Sequence, residues 1–222
     1  MIHFEHTVTP SVEQMKFIIE GMRNPLNSWE KSDSFKDPIS ISESSCLGKN
    51  DQELAMKLIH GGPEHRKFLR QMPIMVRITA PLYWWKEFDT YKIGTVRNSC
   101  STMHTIHKAG IKKDLFSHEW IDIVANENPE VQVVYEHYLT MIEYLRNCFN
   151  DTGKKKYWYA MIQMLPDGFM MTSNVSMNYE VVYNQVRQRK HHKQDEWRID
   201  YMNWVRALPY SEFLGLEEDD VV

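Results

Sequence analysis

Residues 178–197 read NYEVVYNQVRQRKHHKQDEW, and they hold an arginine where a surface arginine has no reason to be. At 3.6 residues per turn Asn178, Val182, Gln185 and Arg189 fall within roughly 60° of one another. Arg189 therefore shares a face with apolar Val182 and Val186. Asn178 suits the N-cap of this helix, because its side-chain oxygen can accept an orphan backbone N–H of the first turn. The result is a polar lane on a packed face. An arginine in such a lane either pairs with a buried carboxylate or aims its planar fork of donors at something bound.

Working outward, FMMTSNVSM (169–177) just before this helix reads as a strand, and a last helix follows over 195–206, with a short turn around Glu212. Upstream, 128–149 is an amphipathic helix with Val134, Tyr138, Met141, Ile142 and Leu145 facing inward. Asp151-Thr152-Gly153 separates it from a second helix ending at Leu165-Pro166. PIMVRITA (73–80) alternates as a strand, and Pro81 opens a helix that buries Leu82, Trp85 and Phe88, followed by a turn at 93–95. Near the start, Val12, Met15, Ile18 and Ile19 recur at helical spacing over 11–23 until Asn24-Pro25 stops them. The polar stretch 27–49 reads as a loop, and Asn50 with Glu53 resembles a capping pair for a helix ending at Gly61-Gly62. Strands among helices, with no internal repeat, give an α+β class: a mixed sheet packed with helices in a single domain spanning 1–222.

Composition sets limits on function. The 222 residues carry 26 Lys and Arg against 30 Asp and Glu, a formal net charge of −4, so no overall pull draws the chain to nucleic acid or acidic membranes; Lys154, Lys155 and Lys156 form only a local basic cluster. No apolar run approaches a membrane span, and MIHFEHTVTP lacks the basic start and apolar core of a signal peptide. Cys46, Cys100 and Cys148 are too few and too scattered for a disulfide framework or a zinc cage, which suits free thiols in a reducing cytoplasm. The expectation is a soluble cytoplasmic protein that binds neither membrane nor nucleic acid.

Several constellations invite chemistry. His104 and His107 could share a helical face and hold a metal, but no nearby carboxylate or cysteine completes the set, so no metal is assigned. Cys100 near those histidines has the makings of an activated thiol, although closeness in sequence does not build that geometry. His191-His192 between lysines reads as a solvated basic surface. Trp84-Trp85 and Tyr157-Trp158-Tyr159 could stack on a base or a flavin ring, yet aromatics at helical spacing are more often core. No glycine-rich phosphate loop is present in the sequence.

Two segments read together resemble the flavin-dependent thymidylate synthase family. In ITAPLYWWKEFDTYKIGTVRNSCSTMH (78–104), Ala80-Pro81 matches the family's strand-ending Ala-Pro, and Thr90-Tyr91-Lys92 occupies the position of its Arg-His-Arg triplet. Thr95 stands for the first serine and, with one inserted residue, Asn98 and Ser101 for the asparagine and second serine; Ser99 replaces the glutamate and Met103 an arginine. In the C-terminal half Leu165-Pro166, Asn178, Asn184 and Arg189 match without gaps, and LPYSEFL (208–214) resembles the closing pattern. Ile162 and Glu180 stand where the family has arginines, and Lys86, Arg97 or Arg187 could compensate from neighbouring positions.

The resemblance implies a methyltransferase that uses FAD, with NADPH and methylenetetrahydrofolate as co-substrates, to convert dUMP to dTMP in a homotetramer whose sites are shared between subunits. It implies that Arg189 binds and activates the uracil, that Ser101 binds the dUMP phosphate, and that Tyr91, Lys92, Asn178 and Asn184 contact FAD. The departures leave open a homologue that binds nucleotide or flavin with altered or lost catalysis, and an enzyme acting on a different pyrimidine nucleotide.

Overall fold

Asn178 ends one strand and caps the next helix, its Oδ1 accepting the backbone N–H of Val181 at 3.1 Å. In the computed structural model the described residues are 1–35 and 47–216. Residues 36–46 of the expected loop, with Cys46, therefore lie outside the described residues. The principal elements in chain order are β1 (His3–Val8), α1 (Val12–Arg23), α2 (Lys49–His60), α3 (Phe68–Gln71), β2 (Pro73–Pro81), α4 (Leu82–Phe88), β3 (Val96–Ser99) and α5 (Thr102–Thr105). They continue with α6 (Glu119–Glu127), α7 (Pro129–Thr152), α8 (Lys155–Gln163), β4 (Met170–Asn178), α9 (Tyr179–Arg189), a π-helical turn (Glu196–Tyr201), α10 (Met202–Arg206) and a 3-10 turn (Ser211–Leu214). The expected α+β class is what the structure shows.

The four strands form one sheet of order β1-β2-β4-β3. Its central strands are the two that alternation identifies: Val76, Ile78 and Ala80 of β2 and Ser173, Val175 and Met177 of β4 point to the buried side. Their register is fixed at both ends. The Leu82 N–H donates to Phe169 O, the Tyr179 N–H donates to Met72 O, each at 3.0 Å, and the Thr79 and Thr172 hydroxyls meet at 2.8 Å. Rising numbers on one strand meet falling numbers on the other, so the pair is antiparallel and unbulged. β1 and β3, absent from the sequence reading, are the sheet's edges. Only Phe4 in β1 and Arg97 in β3 are even half-buried, so neither strand carries an apolar face for periodicity to reveal.

The chain packs as two compact units, one of Met1–His3, Ile78–Thr90 and Asn98–Ser173, the other of Phe4–Arg77, Tyr91–Arg97 and Asn174–Val222. In the first, Trp84, Trp85 and Phe88 of α4 pack edge-on and stacked with centroids 5.0–5.3 Å apart. The Trp85 indole N–H donates to Met171 O at 2.9 Å, so the Trp84-Trp85 pair is core. Leu82, expected in that buried face, is only half-buried. Ile106, Ile111, Phe116, Ile142, Met161 and Phe169 form a second cluster against α7 and α8. α7 starts on an Asn128 cap with Pro129 behind it and ends at left-handed Gly153. Its inward face is narrower than periodicity suggests: Ile142 is buried and Tyr138 and Leu145 half-buried, but Val134 and Met141 are exposed.

In the second unit α1 carries a complete capping box between Ser11 and Gln14. The cap of α2 is a correction. Asn50 lies inside the helix, which starts at Lys49, and the first-turn N–H groups of Asn50 and Asp51 donate to the Asp33 carboxylate at 3.0 and 3.2 Å. A carboxylate 17 residues upstream does what the local Asn50–Glu53 pair was expected to do. The expected last helix also divides, with its first half, Glu196–Tyr201, wound as π-helix.

Asp51 is fully buried and faces Arg23, itself 4% exposed, with Arg23 Nε donating to Asp51 Oδ1 at 2.6 Å. The hydroxyls of Ser32 and Ser34 donate to Oδ2 at 2.8 and 2.6 Å. Burial pushes this carboxyl's pKa up, but the Ser34 and Ser32 hydrogen bonds and the Arg23 charge outweigh it, so the net shift is downward. A lowered pKa gives stability that is present above the unfolded-state value, about 3.9, and is lost as pH falls through the folded one. Asp51→Asn is expected to cost about 3–5 kcal/mol at pH 7 by leaving Arg23 buried without its carboxylate. Urea melts of wild type and variant from pH 7 to pH 3 should converge at the acid end; a gap that does not narrow refutes this account.

Candidate functional site

α9 is buried round most of its girth: Tyr179, Val181, Val182, Tyr183, Gln185 and Val186 are all inaccessible. Gln185 sits among them fully buried, its Oε1 accepting from the Tyr201 hydroxyl. This bond ties α9 to the π-helical turn. Tyr179 likewise donates to Pro209 O at 2.5 Å. A helix held on so many sides presents its remaining polar groups in fixed directions.

Along one face lies the segment 91–95, which holds the expected turn, closed by the Thr95 N–H donating to Lys92 O at 3.4 Å. At its far end Gly94 has φ +78°, and a Cβ there would stand 3.1 Å from Asn178 Nδ2 and 3.3 Å from Val181 Cγ2. Only glycine admits both the left-handed backbone and this close approach. At its near end the Tyr91 hydroxyl donates to Gln188 Oε1 and accepts from Arg189 Nε, both at 2.9 Å. The Arg189 guanidinium carbon lies 5.7 Å from the centroid of the Tyr91 ring and 5.5 Å from that of Trp197. Both distances are within cation–π range. Trp197, itself fully buried, comes from the π-helical turn.

Arg189 is half-buried, at the last residue of α9. Of the two fates open to an arginine in this lane, the structure adds a third component: one donor holds a tyrosine and two aromatic rings fix the plane of the fork. Asn178 is engaged as a cap through Oδ1, and its Nδ2 makes no hydrogen bond among the described residues. The Asn184 amide makes no hydrogen bond among the described residues and is half-buried. Lys92 is exposed. Thr95 Oγ1 is buried without a partner among the described residues. Tyr91, Lys92, Asn178, Asn184 and Arg189 are thus gathered on α9 and the strip beside it. Ser101 belongs to the other unit, where it precedes α5 with its hydroxyl exposed and engaged in no cap.

Two of the three compensating cations, Lys86 and Arg187, do not join this group. Lys86 pairs with Asp167 at 2.6 Å. Arg187 stands about 200° round the helix from Arg189. Glu180 is neutralised by Arg66, at 3.3 Å, and by Arg70. Ile162 packs against the core of the first unit, and Met103 is exposed. The other constellations fall away on geometry: α5 ends at Thr105, so His107 shares no helix with His104 and instead packs edge-on against Phe149. Cys100 is exposed, its backbone N–H bonded to Thr172 O. Trp158 donates to Met103 O at 3.2 Å and packs against the core, whereas Tyr159 is exposed. Among the described residues no group of three His, Cys, Asp or Glu could hold a metal ion, and no helix is long and apolar enough to cross a membrane.

The whole chain matches solved structures. Thymidylate synthase X from Helicobacter pylori, crystallised with FAD and dUMP, superposes with a TM-score of 0.64 at 16% identity over 98% of this chain and 97% of that one. A second structure of the Helicobacter pylori enzyme, described as a flavin-dependent thymidylate synthase complexed with FAD and dUMP, gives the same score and identity. The UMP/dUMP methylase PolB from Streptomyces cacaoi, bound with 5-Br dUMP, matches with a TM-score of 0.63 at 10% identity over 97% of this chain and 93% of that one. The fold is that of the flavin-dependent thymidylate synthases. The sequence itself matches no protein-family model and no curated protein.

Trp197 and Gln188 are the residues of this face that the sequence reading does not single out. Their signal is weak: Gln188 lies one residue from Arg189, but Trp197 reaches its place only through the π-helical turn, whose register no sequence period announces. The Gly94 contact is testable. Gly94→Ala is expected to cost about 2–3 kcal/mol in chemical denaturation, the sum of left-handed strain and a forced shift of Asn178. Gly153→Ala, at φ +62° with nothing within 4 Å of its Cβ, should cost only about 1 kcal/mol. Equal losses at the two glycines would show that the close approach to α9 contributes nothing.

Proposed function

We propose that the chain is a divergent flavin-dependent thymidylate synthase-like methyltransferase, acting at C5 of dUMP or a related pyrimidine nucleotide, with FAD as cofactor and methylenetetrahydrofolate and NADPH as co-substrates. The observation that carries this reading is the clamped fork of Arg189, held by Tyr91 and Trp197 on a fold whose matched structures bind FAD with dUMP, or 5-Br dUMP. The PolB match supports keeping UMP beside dUMP in the substrate class.

The residues present fit such a cofactor and substrate in chemistry. Asn178 Nδ2 and the Asn184 amide supply uncommitted hydrogen-bonding groups to a heterocycle edge, Lys92 supplies charge for a phosphate, and Tyr91 supplies an aromatic ring. FAD held there would supply the hydride that reduces the transferred carbon. Arg189 acts on the pyrimidine: its permanent positive charge stabilises the negative charge that develops on the carbonyl and N3 as C5 becomes nucleophilic. Because the guanidinium is fixed by two rings and a hydroxyl before substrate arrives, little reorganisation accompanies that charge development. Ser101, with its exposed hydroxyl, serves the nucleotide phosphate.

No cysteine nucleophile is required, and Cys100 is an exposed free thiol. A homotetramer with shared sites accompanies this reading. It is supported by the apolar surface left open on α6 and α7, where Trp120, Ile123, Val134, Met141 and Tyr144 are each 47–66% exposed.

Purified protein should take up FAD and turn yellow, and should release tritium from 5-tritiated dUMP or UMP when NADPH and methylenetetrahydrofolate are supplied. Arg189→Ala is expected to lower that release by about 10²–10³-fold, the loss typical of removing one preorganised charge-stabilising donor, with the flavin spectrum kept. Full turnover in the variant would show that another residue activates the pyrimidine. Protein that binds no FAD would overturn the reading altogether.

A further inference from the structure

Gln185 stands one helical turn before Arg189 on the same face of α9, since residues four apart lie about 40° from one another. It is fully buried. Its Oε1 accepts from the Tyr201 hydroxyl, and its Nε2, also buried, has no hydrogen-bond partner among the described residues. A donor taken out of water and left unpaired is a cost that an apolar side chain of the same size does not carry. Tyr201 is equally buried, so the two make a polar pair inside the packing between α9 and the π-helical turn. Leucine and phenylalanine would fill the same space with nothing left unpaired. Stability alone therefore does not account for this pair.

Its neighbours do. The Tyr201 ring packs edge-on against Trp197, with centroids 4.9 Å apart. The Trp197 ring lies in turn 5.5 Å from the Arg189 guanidinium carbon and 6.3 Å from the ring of Tyr91. Burial, and after it the Tyr91 phenol, push the Tyr201 pKa well above the ordinary tyrosine value, so its hydroxyl stays a neutral donor. Gln185, Tyr201, Trp197 and Arg189 thus close a circuit that returns to α9 one turn from where it began. Trp197 and Tyr201 both belong to the π-helical turn, a winding that is rare and recurs at functional positions.

We infer that Gln185 and Tyr201 are positioning residues for Arg189: their hydrogen bond sets the π-helical turn so that Trp197 bears on the guanidinium, at the cost of an orphaned Gln185 donor. Both are fully buried, so they act through Trp197 and not by touching a bound molecule. The inference rests on the reading that Arg189 stabilises charge on the pyrimidine.

The double variant Gln185→Leu/Tyr201→Phe, compared with the wild-type full chain saturated with FAD, tests it. Its melting temperature should equal or exceed that of wild type. Tritium release should fall about 10- to 100-fold in kcat, as expected when a catalytic group is displaced by about an ångström. KM for the nucleotide should change less than about twofold, because the loss falls on the transition state, and the flavin spectrum should be kept. In the Arg189→Ala background the same two changes should lower turnover no further, because the residue they act through is gone. A crystal structure of the double variant should show the Trp197 ring more than about 6 Å from the guanidinium carbon, outside cation–π range. A double variant that does not fold, or melts below wild type, would make the pair structural and overturn the inference. So would full turnover, a further loss in the Arg189→Ala background, or a Trp197 ring still in place. Wild-type protein that binds FAD but releases no tritium would instead overturn the reading of Arg189, and the place of Trp197 in the variant would then decide the positioning by itself.

Discussion

One side chain, Asn178, fixes the geometry on which the second unit depends. Its Oδ1 ends β4 and starts α9 by taking the Val181 N–H, while its Nδ2 stands 3.1 Å from where a Cβ at Gly94 would lie, so a larger residue there forces a shift. Strand exit, helix start and the position of the 91–95 strip are therefore set together. Eleven residues on, the same strip reaches Arg189 through the Tyr91 hydroxyl. If the cap shifts, the far end of the strip and the arginine it holds shift with it.

A helix buried nearly all round turns few polar groups outward, and Arg189 lies on the same face as Asn178, Val182 and Gln185, within about 60° of them. On that face Val182 and Gln185, with Val186 beside them, are packed without access to solvent, and Gln185 is held by the Tyr201 hydroxyl. The burial of that phenol pushes its pKa well above the ordinary tyrosine value, so it remains a neutral donor. Arg189 thus stands on a rigidly packed element, which is how a protein holds a guanidinium in a fixed plane.

The partial legibility of the sequence has physical causes. Strands β2 and β4 and helices α1 and α9 declare themselves because each buries one face and so repeats its apolar residues at the period of its backbone. β1 and β3 do not, because edge strands with exposed side chains have no such face. The cap of α2 is hidden from local sequence because the carboxylate that performs it, Asp33, is distant in the chain. The site was half legible: spacing exposes Arg189 as anomalous, but spacing could not show that Tyr91 and Trp197 hold it, nor that Lys86 and Arg187 are committed elsewhere.

By itself the sequence determined the α+β class, the two central strands, the helix on which Arg189 stands and the resemblance that names a pyrimidine-methylating flavoenzyme, since all of these rest on periodicity, capping chemistry and residue order. Only the tertiary structure decided which rings clamp Arg189, that a π-helical turn delivers Trp197 to it, and that the Tyr201 hydroxyl meets Gln185 in the core. Those outcomes depend on contacts between distant segments, which cost chain entropy to form and are selected by packing rather than by any local pattern.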